Sequence, residues 1–185
     1  MIEQKQSAAA SVSDAVSDQA LMLAFQRGSR SAFEELFARY SGPIFGFFRR
    51  RIPDDARAQD LTQDTFLAVI RSIERYQPEA LVRTYLYAIA LNLVYVERRK
   101  RGFEPLESFT GSLALVPATD EILRVRQALQ RLDHGDREIL MLREYEQFSY
   151  EEIAEVLAIP LNTVRSRLFR ARIALKNQLS PQEAA

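Results

Sequence analysis

The sequence predicts an all-α protein with two small helical domains joined by a flexible linker, the C-terminal domain containing a helix-turn-helix. Apolar residues recur at three- and four-residue spacing through residues 18–101 and again through 121–179, the period of amphipathic helices. Between these stretches, residues 102–120 are punctuated by Gly, Pro, Ser and Thr without a clean period, which is typical of a linker. No stretch is a strand candidate.

The bulk composition is that of a globular protein. The chain has 185 residues, no net charge, 47% apolar residues and no cysteine, which excludes a disulfide framework, a thiolate metal site and a cysteine nucleophile. No stretch approaches 18 uninterrupted apolar residues, so no membrane span is expected. Residues 1–18 are rich in Ser and Ala and lack a signal-peptide pattern, so we expect a disordered tail there, a second tail at 181–185 and a cytoplasmic location.

The first helical pattern is interrupted at Gly28-Ser29, where the chain is expected to turn. Further helices of this half are predicted at 43–51, 56–73 and 81–100. A turn at 53–55 and a break near Gln77-Pro78 separate them.

The predicted helix 56–73 has two different faces. The apolar face holds Leu61, Thr65, Phe66, Val69, Ile70 and Ile73. The opposite face holds Asp60, Gln63, Asp64, Leu67 and Arg71. A leucine among carboxylates suggests a ridge that binds another protein, but the pattern alone favours a solvated face with one stray leucine.

The predicted helix 81–100 combines aromatic and basic residues. The segment 76–101, which contains this helix, carries Tyr76, Tyr85, Tyr87 and Tyr95, followed by Arg98, Arg99, Lys100 and Arg101. Aromatic rings near cations can stack unpaired bases while the cations hold phosphates. The other interpretation, half-buried core tyrosines before a basic helix C-terminus, stays equally open at this point.

Residues 149–176 predict helix, tight turn, basic helix, the helix-turn-helix arrangement. Ser149 and Glu152 form a capping-box pattern, and residues 158–160 break the short helix. Asn162 is expected to cap the basic helix.

A helical wheel of the basic helix separates a core stripe from an unusual outer face. The core stripe holds Val164, Leu168, Ala171 and Leu175. Phe169 and Ile173 point outward among arginines, which solvation alone does not explain. A solvated basic helix is the alternative, but the pattern favours a helix that enters a DNA major groove.

The segment 133–155 has the opposite charge, with eight Asp and Glu against two Arg. The zero net charge therefore hides a dipolar arrangement. We expect this acidic segment to stay away from DNA or to meet a basic protein.

Four segments occur in an order and at spacings that match a known family: SAFEELFARY, AQDLTQDTFLAVIRSI, RTYLYAIALNLV and SYEEIAEVLAIPLNTVRSRLFRARIAL. In them the chain resembles the extracytoplasmic-function (ECF) sigma factors of bacterial RNA polymerase. One helix-turn-helix pattern would be weak, whereas four motifs in order over two domains are specific. The resemblance implies sigma region 2 at 19–101, the linker at 102–120 and region 4 at 121–180.

The resemblance also implies three binding surfaces. Core-polymerase contacts, on the clamp helices of the largest subunit, are implied for Asp60, Gln63, Asp64, Phe66 and Leu67. Contacts with the single-stranded −10 element are implied for Tyr76, Arg83, Tyr85, Asn92, Arg98, Arg99, Lys100 and Arg101. Contacts with the duplex −35 element are implied for Thr163, Arg165, Ser166, Arg167, Phe169, Arg170 and Arg172. Residues 76–83 match the loop that captures a flipped −10 base.

The chain departs from the family pattern in four places. Tyr85 stands where Trp is usual, residues 78–80 replace a Gly-Ser loop, and Val96 replaces an acid; these three bear on −10 specificity. Ala158 replaces a turn glycine and predicts a turn whose φ suits a Cβ.

The predicted function is that of an alternative sigma factor that directs core polymerase to promoters and promotes initiation, without being an enzyme. The implied partners are the polymerase core, promoter DNA and an anti-sigma factor that covers Leu67, Phe169 and Ile173. No cofactor or metal is expected. The alternative is a helix-turn-helix regulator that is not a polymerase subunit. His134, the only histidine, is expected in a solvated turn and gives little support for catalysis.

Overall fold

The structure, a computed structural model, describes residues 16–100 and 120–180. The regular elements of these ranges are helices. They are α1 Asp18–Gln26, α2 Arg30–Arg49, α3 Asp55–Ser72, α4 Val82–Lys100, α5 Asp120–Gln130, α6 His134–Glu144, α7 Tyr150–Leu157 and α8 Leu161–Leu179, with a 3₁₀ turn at Ile73–Arg75. The predicted tails and linker lie almost entirely outside the described residues. None of the described helices is both long and apolar enough to cross a bilayer.

Polar side chains define where most of these helices begin. A side-chain oxygen accepts a hydrogen bond from a first-turn amide at Ser17, Ser29, Asp54, Asp133 and Ser149. At α7 the predicted capping box is confirmed, since Glu152 also accepts from the Ser149 amide at 2.7 Å. Such caps satisfy amide groups that the helix itself leaves unpaired.

The predicted helix start at Pro43 is wrong, because α2 continues through this residue without a break. Proline removes one backbone donor and strains the preceding turn. Pro43 lies on the exposed side of α2, while Leu36 before it and Ile44 and Phe47 after it are buried. Burial on both sides of the proline holds the helix together.

The N-terminal helices, α1 to α4, pack in chain order, and the C-terminal helices pack around α8. Helix α4 also packs against α7, so the two sets share one core. Three aromatic rings cross the junction: Phe47 lies 5.3 Å from Tyr87, which lies 5.0 Å from Phe148, both edge to face. Rings at this spacing stabilise beyond their buried area.

The turn between α7 and α8 corrects two predictions. Ala158 adopts the left-handed conformation with φ of 51° and ψ of 46°, so its φ is not one that readily suits a Cβ. Asn162 does not cap α8, because the helix begins at Leu161 with Pro160 at the N-cap. The N-cap is therefore Pro160 in place of Asn162, and α8 starts two residues earlier than predicted.

Candidate functional site

Helix α8 presents an apolar outer surface, as the wheel predicts. Val164, Leu168 and Ala171 are buried, and α8 packs through them against the other C-terminal helices. On the opposite side, Phe169 is 66% exposed and Ile173 is 44% exposed. A large ring that faces solvent on a packed helix contributes little to folding and suits contact with a partner.

The polar residues implied in −35 contact surround this ring. Arg165 and Ser166 are exposed, whereas Thr163 and Arg167 are half-buried. Arg170 lies 3.8 Å from Asp136, and Arg172 lies 3.1 Å from Glu144. Both arginines are exposed, and surface ion pairs at these distances contribute at most about 1 kcal/mol, so both can exchange their carboxylates for phosphates.

The outer face of α3 carries the predicted acidic ridge, which we define as Asp60, Gln63, Asp64 and Leu67. Asp60 and Gln63 are exposed, Asp64 is half-buried, and Leu67 is 43% exposed. Arg57 lies 3.7 Å from Asp60. The ridge therefore presents carboxylates around a leucine, as predicted.

Phe66 does not belong to this exposed surface. It is buried in the core, 4.7 Å from Phe37 and 6.2 Å from Phe33. Ile70, predicted on the core face, is exposed instead, as is Phe37. Leu67, Ile70 and Phe37 are thus the exposed apolar side chains of this part of the molecule, and the sequence pattern did not single out Phe37.

The segment 76–83, matched to the −10 loop, has a buried beginning and an exposed middle. Tyr76 is buried and packs edge to face on Tyr85 at 5.5 Å. Burial, and then the neighbouring Tyr85, raises the pKa of Tyr76. Tyr85 is half-buried, with its hydroxyl 2.7 Å from Ser72 Oγ. Gln77, Pro78 and Glu79 are exposed.

The other residues implied in −10 contact do not form one open surface. Asn92, Arg99 and Lys100 are exposed, and Arg101 lies outside the described residues. Arg83 faces the C-terminal helices, with its guanidinium 4.1 Å from the Phe148 ring centre and a hydrogen bond to the Glu146 carbonyl. Arg98 donates to His134 Nε2.

A buried ion-pair cluster joins the two sets of helices. Arg51, 1% exposed, lies 2.7 Å from Glu138 and 3.4 Å from Glu146, and Arg50 lies 2.7 Å from Glu146. Burial alone would raise the pKa of Glu138, but the Arg51 guanidinium bound to it holds this pKa below its usual range. Carboxylates this deeply buried require such partners.

The acidic segment 133–155 therefore meets basic residues of its own chain. Besides Glu138 and Glu146, Glu152 lies 3.6 Å from Arg83. Glu155 accepts from the Thr84 hydroxyl at 3.0 Å. Sequence reasoning noted the acidity of this segment but did not identify Arg50 and Arg51 as its partners.

His134 is not in a solvated turn, because it is the first residue of α6 and packs 6.1 Å from the Tyr95 ring. Burial, and then the charge of Arg98, lowers the pKa of His134. Across residues 16–100 and 120–180, no cluster of His, Asp and Glu has the arrangement of a metal site.

Comparison with known proteins gives the class to which this fold and these surfaces belong. The family model for Sigma-70 region 2 matches residues 36–104, and the model for Sigma-70 region 4 matches residues 122–175. The RNA polymerase sigma-H factor of Pseudomonas aeruginosa is 36% identical over 89% of this chain and 94% of its own length. The ECF RNA polymerase sigma-E factor of Haemophilus influenzae is 31% identical over 92% of this chain and 99% of its own length.

Solved structures agree with these matches. CnrH, solved in complex with the cytosolic domain of CnrY, superposes with a TM-score of 0.69 and 28% identity over 90% of this chain and 99% of that one. The sigma factor RpoE of Bartonella quintana, solved with the anti-sigma factor NepR, superposes with a TM-score of 0.64 and 26% identity. This match covers 82% of this chain and 98% of that one. The chain belongs to the ECF group of sigma-70-type RNA polymerase sigma factors. A helix-turn-helix regulator outside the polymerase does not account for the region 2 match.

Proposed function

We propose that this chain is an alternative sigma factor in which residues 19–101 bind core polymerase and the −10 element, and residues 121–180 bind the −35 element. The exposed phenylalanine among arginines on α8 carries the proposal, because neither folding nor solvation explains it. Phe169 would contact a thymine methyl, while Arg165 and Arg170 bind phosphates or guanine edges. The acidic ridge would dock on the polymerase.

The protein itself catalyses nothing in this proposal; it supplies sequence specificity to the polymerase. Stacking a captured base contributes about 1–3 kcal/mol, similar to the roughly 1.4 kcal/mol of a DNA base-pair step. Capture of −10 bases by the segment 76–83 therefore shifts the promoter toward its melted state without ATP.

Control by an anti-sigma factor is supported by the outward apolar side chains of Leu67, Phe169 and Ile173. Of the two solved relatives, RpoE is in complex with the anti-sigma factor NepR, and CnrH is in complex with the cytosolic domain of CnrY. Alanine at these three positions is expected to weaken inhibitor binding, and unchanged binding would contradict this part of the proposal. We place the protein in the cytoplasm, where the polymerase acts.

The direct test is run-off transcription with purified bacterial core polymerase, on promoters selected from genomic DNA by the polymerase and this protein together. Specific initiation is expected, and it should be lost in Asp60→Ala/Asp64→Ala and strongly reduced in Arg170→Ala. Glu34→Ala is the matched control, since Glu34 is an exposed acid that pairs with Arg30 on α2. DNA binding without core association or initiation would refute the proposal.

A further inference from the structure

The C-terminal turn of α1 holds the segment that leads into residues 76–83. Gln26 Nε2 lies 2.9 Å from the carbonyl oxygen of Ile73, 2.9 Å from that of Tyr76 and 3.3 Å from that of Glu74. All three partners are acceptors, so the amide nitrogen must face them and the orientation of this side chain is unambiguous.

One of these carbonyls also has a backbone donor, because the Tyr76 amide donates to the Ile73 carbonyl at 3.1 Å. The carbonyls of Glu74 and Tyr76 lie at and just beyond the end of the three-residue 3₁₀ turn Ile73–Arg75, where the turn itself supplies no donor. Gln26 comes from a helix about fifty residues earlier, with separations of 47 to 50 along the chain. A side chain from α1 therefore determines where this backbone lies.

Tyr76 is held by its side chain as well as by its backbone. The Tyr76 ring packs on Tyr85, whose hydroxyl is bonded to Ser72. Gln26 binds the Tyr76 carbonyl, so both the ring and the backbone of Tyr76 have defined partners. The exposed residues that follow, Gln77 to Glu79, thus extend from an anchored residue.

We propose that Gln26 is a positioning residue for capture of the −10 base: its amide fixes the start of the 76–83 segment, so the segment is ordered before DNA arrives. The inference rests on the proposed role of this segment. A segment that is ordered before binding does not lose conformational entropy when it binds DNA, so its affinity is higher. Gln26 precedes the residues 36–104 matched by the region 2 family model.

The test compares two variants of similar length in reconstituted holoenzyme. Gln26→Met keeps the shape and removes the donor, whereas Gln26→Lys keeps a donor. The probes are a fluorescent single-stranded −10 oligonucleotide and a −35 duplex, both taken from promoters selected by the wild type. Gln26→Met is expected to bind the −10 oligonucleotide about tenfold more weakly, the loss of one to two hydrogen bonds, with −35 and core affinities unchanged.

Two further measurements, base preference and amide hydrogen exchange, distinguish a positioning role of Gln26 from a general effect of charge on DNA binding. Gln26→Met should lose discrimination among bases at the captured position, and Gln26→Lys should recover it. Amide hydrogen exchange of residues 76–81 in the free chain should be faster in Gln26→Met and near wild type in Gln26→Lys. Gln127→Met is the matched control, because it makes the same substitution at a glutamine that is exposed on α5, away from the 76–83 segment in the sequence.

Two results would overturn the inference. One is wild-type −10 affinity, base preference and amide exchange in Gln26→Met. The other is an equal loss of −10, −35 and core binding together with a lower melting temperature, which would make Gln26 a folding residue only. Failure of the wild-type holoenzyme to bind the −10 oligonucleotide would instead refute the proposed role of the segment, and this inference with it.

Discussion

In α8, Leu168 and Phe169 are neighbours in sequence and lie on opposite sides of the helix, 1% and 66% exposed. Leu168→Ala is expected to lower the free energy of unfolding by about 2–5 kcal/mol, because it leaves a cavity in the core. Phe169→Ala should leave unfolding within about 0.5 kcal/mol and weaken binding of a −35 duplex by about 1–3 kcal/mol, the effect of one lost base contact. Urea unfolding and fluorescence anisotropy measure the two quantities. Comparable destabilisation by both substitutions would show that Phe169 serves the fold.

His134 predicts how stability depends on pH. Arginine only donates hydrogen bonds, so Nε2 of His134 must accept from Arg98 and the ring is neutral. Tyr95 of α4, Asp133 at the N-cap of α6, and Arg137 and Glu138 of α6 complete its surroundings. Its folded pKa lies below the unfolded value of about 6.5, so the unfolded chain binds a proton first as pH falls.

The free energy of unfolding is therefore unaffected by His134 above about pH 6.5 and decreases as pH falls from there toward the folded pKa. His134→Asn should remove this decrease. Urea unfolding of both proteins at several pH values between about 5.5 and 7.5 checks it. Since the chain has no other histidine, an unchanged slope in His134→Asn would contradict the assignment.

Among the elements, the turn from α7 to α8 stores conformational strain at Ala158. A non-glycine residue in the left-handed region costs about 1–2 kcal/mol, and Ala158→Gly is expected to recover about 1 kcal/mol of it in urea unfolding. Ala154→Gly, in the preceding turn of α7, is the matched control and should destabilise by about 0.5–1 kcal/mol. Destabilisation by both substitutions would mean that the turn is not strained.

Periodicity predicted that the chain is helical on both sides of the linker, and local interactions decided where the individual helices begin and end. Ser149 and Glu152 lie three residues apart, so their capping box was visible in the sequence. Pro43 looked like a helix start, but the burial of Phe47 and its neighbours overrides the missing hydrogen bond. Asn162 looked like a cap, but the left-handed Ala158 turns the chain sooner and α8 starts before it.

For the binding surfaces, a wheel predicted the outer face of α8 because only one side of that helix is packed. Helix α3 packs against both α2 and α4, and a wheel does not show which of its edges is covered. Ile70 was therefore placed with the core although it is exposed. Phe66 is buried on the face where the wheel placed it, and it was the family resemblance that counted it among the binding residues. The packing of Arg83 and Arg98 against the C-terminal helices depends on contacts between distant parts of the chain, which no local pattern encodes.

At the scale of the whole molecule, Arg51 links the two sets of helices. Arg51→Met leaves the buried carboxylates of Glu138 and Glu146 short of a partner, which typically costs about 3–5 kcal/mol. The expected result is separation of the two sets of helices, seen as a larger radius of gyration by small-angle X-ray scattering of the free chain. This separation would expose Arg83 and Arg98, so the binding of single-stranded DNA by these two residues should also increase.

Arg49→Met is the control for this prediction. Arg49 pairs at 2.9 Å with Asp55, which is 59% exposed and belongs to the same set of helices. Its loss should cost at most about 1 kcal/mol and leave the radius of gyration unchanged. If Arg51→Met lowers the melting temperature without any expansion, the two sets of helices unfold together and do not separate.

The acidic helices that pack against Arg83 and Arg98 of α4 are connected to α4 by residues 102–120, for which the sequence predicts a flexible linker. Their closure is intramolecular, and short flexible tethers give local concentrations on the order of millimolar. Promoter DNA has to compete with that local concentration. Since it falls roughly as the −3/2 power of tether length, doubling the tether should favour the open arrangement about threefold. The length of an unremarkable connecting segment thus helps to set how much DNA is needed to occupy this protein.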